Sequence, residues 1–299
     1  MNVNVGVALV SISAIAFAFL PIFTRVAYEA GADPLGVLVI RFAAASAIMA
    51  LLVLPRRLPL PGRRTLVFLF LMGGVGYVGQ SFLYFTALTM APVAQITLLL
   101  YLYPAIVTIL AVVLWKERVT PPGIIALVAA LAGMVLVVGI EGGGHPLGAL
   151  AGLGAAATYS GYIMVGSRVV PRGGALQASW MIMSSAALVF AVISLVQGVN
   201  LPTTAAGWGA VSGIAAISTV LAIVTFLAGL ERIGPTRSAT VSALEPVVTV
   251  ALAALLLGET LTPARLSGGA LILLAVVVLS RKAPAAGKKT VPRKKEEIS

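Results

Sequence analysis

The 299-residue sequence has no cysteine, a single histidine and only nine acidic residues. Without cysteine there is neither a disulfide nor a thiolate metal site, and redox compartment leaves no mark on the chain. The lone histidine, His145, sits in the glycine-rich stretch EGGGHPLG and reads as loop. With the carboxylates scattered, little is left for metal or nucleophilic chemistry. A phosphate-cradling glycine loop is missing too, so ATP use has no support. No enzyme activity, metal or cofactor is therefore expected. Charge itself is also scarce, at 10% of residues against 60% hydrophobic and a mean hydropathy of +1.09. No soluble domain carries that balance, and the chain reads as a polytopic membrane protein.

What is present is a series of ten uncharged runs of membrane-spanning length: 5–27, 34–54, 66–88, 92–115, 121–140, 147–167, 175–196, 207–229, 234–257 and 263–281. They are continuous in Leu, Ala and Gly and lack the two-residue alternation of barrel strands, so the fold class is all-α. The first run is too long for a signal core and lacks a basic leader, so no cleavable signal is expected. In alternate loops, seventeen Lys and Arg fall on one side and two, Arg25 and Arg265, on the other, with Arg41 inside a span. Short basic loops stay cytoplasmic, which places both termini in the cytoplasm. The net charge of +11 therefore belongs to membrane-flanking loops and gives no nucleic-acid signal. Residues 283–299, APAAGKKTVPRKKEEIS, read as a basic, disordered cytoplasmic tail that anionic lipid headgroups would attract.

The chain also repeats itself. Residues 100–121, LYLYPAIVTILAVVLWKERVTP, align without a gap to 242–263, SALEPVVTVALAALLLGETLTP, with eight identities that include Pro104/Pro246, Glu117/Glu259, Thr120/Thr262 and Pro121/Pro263. This divides the chain into halves of five spans, 1–141 and 142–282. An odd number of spans per half makes the repeats inverted, as in secondary transporters. The order of these features resembles the EamA family of the drug/metabolite transporter superfamily. The match rests on a proline within the fourth span of each half, an E-x-x-T-P junction to the fifth, VIRFAAASAIMALLVL around Arg41, FLYFTALTMAPVAQITLL, and LERIGPTRSATVSALEP. The resemblance implies a bacterial inner-membrane permease, usually an exporter of amino acids or other small metabolites, with the aromatic-amino-acid exporters one candidate branch.

Polar residues fall in stripes. Ser238, Ser242, Glu245 and Thr249 share one face of the ninth span, and Tyr77, Gln80, Ser81 and Tyr84 one face of the third. Gln95, Tyr101 and Tyr103 decorate the fourth span, Tyr159 and Tyr162 the sixth, Ser218 and Thr225 the eighth. Singly, each is satisfied by interhelical hydrogen bonding or packing. Together they are read as lining a substrate cavity. Glu117 and Glu259, on opposite membrane faces, are read as structural, adding negative charge at the starts of the fifth and tenth spans, where Thr120 and Thr262 would cap. Pro104 and Pro246 are expected to kink their helices, freeing the carbonyls of Leu100 and Ser242, either within packing or toward a cavity. For Arg41 a salt bridge to Glu245 and the capping of carbonyls stay open. The GALAG at 148–152 is expected to pack helices within one chain, and the oligomeric state to be a monomer or weak homodimer.

The expected function is outward secondary transport of a small amphipathic metabolite, an amino acid, with tyrosines and hydroxyls suiting an uncharged, zwitterionic or aromatic substrate. A proton-coupled exporter of lipophilic cations, with Glu245 as counter-ion, is the alternative within transport. A non-transporting scaffold is the rival outside it, and a membrane-embedded hydrolase is remote. Membrane lipid and the small molecule are the expected partners; nucleic acid is not.

Overall fold

The structure is a computed structural model and describes residues 3–57, 61–115, 121–138, 144–173, 175–242 and 244–281. Glu117, Thr120 and the tail 283–299 lie outside the described residues. The fold is all-α: ten transmembrane passes in two inverted five-helix repeats. The first repeat comprises α1 (Val3–Glu29), α2 (Pro34–Val53), a third pass of α3 (Arg63–Leu71), a π-helical segment (Met72–Tyr77) and α4 (Val78–Met90), a fourth of α5 (Val93–Leu100) and α6 (Tyr103–Trp115), and α7 (Pro121–Val138). The second comprises α8 (Pro146–Gly173), α9 (Ala175–Gln197), α10 (Ala205–Ala215), a second π-helical segment (Ala216–Leu221), α11 (Ala222–Ser242), α12 (Leu244–Leu257) and α13 (Pro263–Arg281). Among the described residues, six helical runs are long and apolar enough to cross a bilayer, and α7, α12 and α13 are shorter apolar helices.

The solvent of this fold is lipid. Leu195 and Leu255 are 86% and 80% exposed, whereas Ser13, Thr24, Ser160 and Thr249 are buried. Helices pack across the repeats: α1 on α10 and α11, α4 on α8, α2 on α9, α5 on α12 and α7 on α13. Small residues and hydroxyls make these seams, as expected where lipid supplies no hydrophobic drive between helices. Ser13 donates to the Ala222 carbonyl at 2.7 Å, and Ser46 and Ser184 share a 2.7 Å bond. Gly148 of GALAG leaves room for Met90 and Ala91, so this motif packs the chain on itself.

Several boundaries differ from the sequence reading. Helices run on past their apolar stretches, α8 to Gly173 against an expected 167, because backbone hydrogen bonding continues into the headgroup region. The expected break at 230–233 is absent; α11 is helical from Ala222 to Ser242. Gly229 and Ile233 still pack on Val10 and Gly6 of α1 there, which keeps the helix wound. The chain nevertheless turns back, since Thr249 donates to Ala18, twelve residues up α1 from Gly6. In the fourth pass the proline does not kink a continuous helix: α5 ends at Leu100 and α6 begins at Tyr103, so Pro104 is its second residue, where the missing N–H costs nothing. Whether the helix is interrupted ahead of Pro246 falls on residue 243, outside the described residues.

One membrane face is tied together by its loops. Asp33 caps α2 through the Gly36 N–H at 2.6 Å and accepts from the Asn200 N–H at 2.9 Å. Thr203 N–H donates to Ala30, and His145 N–H to Met90. His145 also accepts from the Leu147 N–H at 3.2 Å, closing the start of α8. Thr262 accepts from the Arg265 N–H at 3.2 Å, capping α13 as its position before Pro263 suggested. Glu259 behaves differently from its expected place at α13: it accepts from the N–H groups of Val93 and Ala94, at 2.6 and 3.0 Å, and so caps α5 of the other repeat.

Candidate functional site

A helix break in the first repeat meets Glu245 of the second inside the bundle. In the first repeat the break is Tyr101–Leu102, with Tyr101 at φ −70, ψ 5 and the chain turning tightly through a Leu102 N–H to Leu99 carbonyl bond of 3.1 Å. In the second, Glu245 lies in α12, three residues beyond Ser242 of α11, and residue 243 between the two is outside the described residues. The Tyr101 hydroxyl lies 3.5 Å from the Ser242 carbonyl, the group that Pro246 leaves unpaired, and also contacts the Glu245 carboxylate. A tyrosine at the break of one repeat thus reaches the backbone of the other.

Around Glu245 the tyrosines converge. Tyr84, Tyr101, Tyr103 and Tyr159 all interact electrostatically with its carboxylate. Tyr101 and Tyr103 lie 5.9 Å apart by ring centroids, and Tyr103 meets Tyr159 edge-on at 5.0 Å. Tyr159 stacks on Tyr162 at 5.9 Å, and Tyr162 on Tyr77 at 5.6 Å. Tyr77, Tyr101, Tyr103, Tyr159 and Tyr162, from three separate spans, the third, fourth and sixth, form one continuous aromatic wall. Its polar ends and faces suit an amphipathic ligand.

At the far end of the wall is Arg41, 3% exposed. Its Nε–H donates to Thr219 Oγ1 at 3.2 Å and its Nη2 lies 3.5 Å from the Tyr77 hydroxyl. The guanidinium carbon stands 5.0 Å from the Phe42 ring and 5.3 Å from that of Phe85. Neither sequence expectation for Arg41 describes this: its hydrogen-bond partners are two hydroxyls, with no bond to Glu245 or to a carbonyl among the described residues. Thr219 is not among the residues read from the sequence, which names its neighbour Ser218; a π-helical turn adds a residue and rotates the helix face relative to ordinary helical spacing.

The remaining selected residues sit at varying remove. Gln80 and Ser81 are buried and bonded to each other at 3.3 Å. Gln95, Ser218 and Ser238 are buried with side-chain oxygens that have no hydrogen-bond partner among the described residues. Thr225 is not drawn into the wall by its hydroxyl, which bonds its own helix at Leu221 and Ala222. A separate apolar cleft of about 530 Å³, lined by Leu66, Val67 and Phe70 of α3 and Trp180, Met181 and Leu188 of α9, contains none of the selected residues.

Inverted repeats with a broken helix and polar groups at an interior point are the architecture of membrane transporters. The chain belongs to the EamA-like transporter family, which it matches over residues 4–139 and again over 146–281. It is 27% identical over 269 residues to the uncharacterized transporter YcbK of Bacillus subtilis, covering 86% of each chain. A 69-residue segment, 23% of this chain and 24% of the relative, is 36% identical to the aromatic amino acid exporter YddG of Ancylobacter novellus. A solved protein crystal structure superposes with a TM-score of 0.63 at 23% identity, covering 91% of this chain and 95% of the other, a likeness of fold.

Proposed function

We propose that this transporter is a secondary permease of the inner membrane that exports small amphipathic metabolites, amino acids and aromatic amino acids among them. Transport would proceed by alternating access through a cavity between the repeats. The observation that carries this reading is the convergence of Glu245 and the tyrosine wall on the helix break at Tyr101–Leu102. A discontinuous helix supplies polar backbone ends where transporters hold substrate, and the aromatic faces take an apolar body. Glu245 is the substrate-contacting or coupling group. If one proton entered per neutral substrate expelled, a potential of about 100 mV would contribute about 2.3 kcal/mol, a gradient of roughly fifty-fold.

Metabolite profiling of medium from overexpressing cells identifies the cargo, and flux of the best hit in liposomes tests it. Glu245→Gln is expected to keep folding and passive exchange while losing any response of flux to an imposed pH gradient. A mutant that keeps the wild-type response excludes coupling through Glu245. A carboxylate among tyrosine faces also suits a lipophilic cation; competition between such cations and protons for efflux would favour that second reading.

The orientation has its own test, made simple by the absence of cysteine. A cysteine at Asn200, exposed beside the Asp33 clip, is expected to react with an impermeant thiol reagent added to whole cells, and one at Gly62 to be protected. The reverse pattern would invert the topology.

A further inference from the structure

Arg41 is the eighth residue of α2, buried among aromatic rings. An arginine at such depth is costly and is ordinarily paired with a carboxylate or spent on backbone carbonyls. Here the two acceptors supplied by the described residues are neutral hydroxyls, one of them at the 3.5 Å limit of hydrogen bonding. Hydroxyls orient a guanidinium without neutralising it, and its fork of N–H donors is not used up by two bonds. The rings of Phe42 and Phe85 attract the cation but accept no directed proton.

A second observation is independent of charge. The two hydroxyls come from the two π-helical segments: Tyr77 ends the first and Thr219 lies within the second. Such segments give up regular backbone bonding and concentrate at functional sites. Each repeat places its own beside the same guanidinium. In the same turn as Thr219, the fully buried Ser218 hydroxyl has no partner among the described residues. From Tyr77 the aromatic wall leads away through Tyr162 and Tyr159 toward Glu245.

We propose that Arg41 is the anchor for the carboxylate of the transported substrate, so that the cargo is a monocarboxylate, zwitterionic or simply acidic, with an aromatic or apolar body. A planar carboxylate matches the guanidinium fork, supplies the missing negative charge and leaves the body against the Tyr77–Tyr162 stack. A single cation suits a single negative charge; a phosphate dianion would call for more. This rests on the transport reading above and names the group that its substrate must carry.

The test uses the full chain in lipid nanodiscs and a series sharing one body: phenylalanine, phenylpropionate, phenylpropionamide and phenethylamine, read by thermal stabilisation and by flux in liposomes. The two acids are expected to bind about tenfold tighter than the amide and the amine, the scale of one lost charge-assisted contact. Arg41→Lys should keep a reduced acid-over-amide preference and Arg41→Gln should abolish it. If the glutamine variant does not fold, the wild-type series and the lysine variant decide. Equal binding of acid, amide and amine overturns the anchor while leaving an aromatic substrate in place. If no member binds or crosses, the aromatic substrate class fails, and the anchor with it.

Discussion

Alanine at Gly133 is expected to separate α7 from α13 and cost about 1–3 kcal/mol of stability, with a matching fall in folded yield. A methyl there would lie 2.6 Å from the Gly268 carbonyl oxygen, 2.9 Å from Ile272 and 3.1 Å from Leu271. At Gly268 it would meet the Gly133 carbonyl oxygen at 2.6 Å and Leu136 at 2.8 Å. Each glycine faces backbone of the other helix, so no flexible side chain can move aside; the helix axes must part. These helices are the last of their repeats, and two small residues at their crossing let the backbones touch. Gly209→Ala is the control, because nothing lies within 4 Å of a methyl at that helical position. Fluorescence-detected size-exclusion chromatography after heating separates the cases. If Gly133→Ala melts like Gly209→Ala, the close approach is not holding the pair.

Glu259 is the second position with a large expected effect. Its two oxygens take the N–H groups of Val93 and Ala94, the orphan donors that begin α5, and Pro92 before them offers no side-chain cap. Gly258, at φ +65, makes the turn after α12 that delivers the carboxylate. A charged acceptor at a helix N-terminus is among the stronger caps, and leaving its donors unpaired in a half-buried loop should cost about 2 kcal/mol. Glu259→Ala is expected to lose that much thermal stability in detergent, with Glu259→Gln intermediate. Substrate affinity in the surviving protein should stay near wild type. Wild-type stability with a large loss of affinity would mean that Glu259 belongs to the transport site instead of the scaffold.

The local layer of this molecule was legible from residue order. Apolar runs of bilayer length mark the passes because a spanning backbone must satisfy its own hydrogen bonds, and Pro104 marks where the fourth pass interrupts its helix. The tyrosines are legible as polar marks on separate spans, although nothing in their spacing says that Tyr77, Tyr162, Tyr159 and Tyr103 touch in series. What tertiary structure alone decided is every pairing between repeats. Glu259 could be recognised as a cap, but the helix it caps lies 166 residues away in sequence. Arg41 could be recognised as out of place, but its partner Thr219 stands 178 residues on, on a face turned by a π-helical segment that no spacing rule anticipates. Helix propensity, proline chemistry and the bilayer act along the chain over a few residues. Which helix lies beside which depends on small residues, hydroxyls and buried charges finding each other across two repeats that enter the membrane from opposite sides.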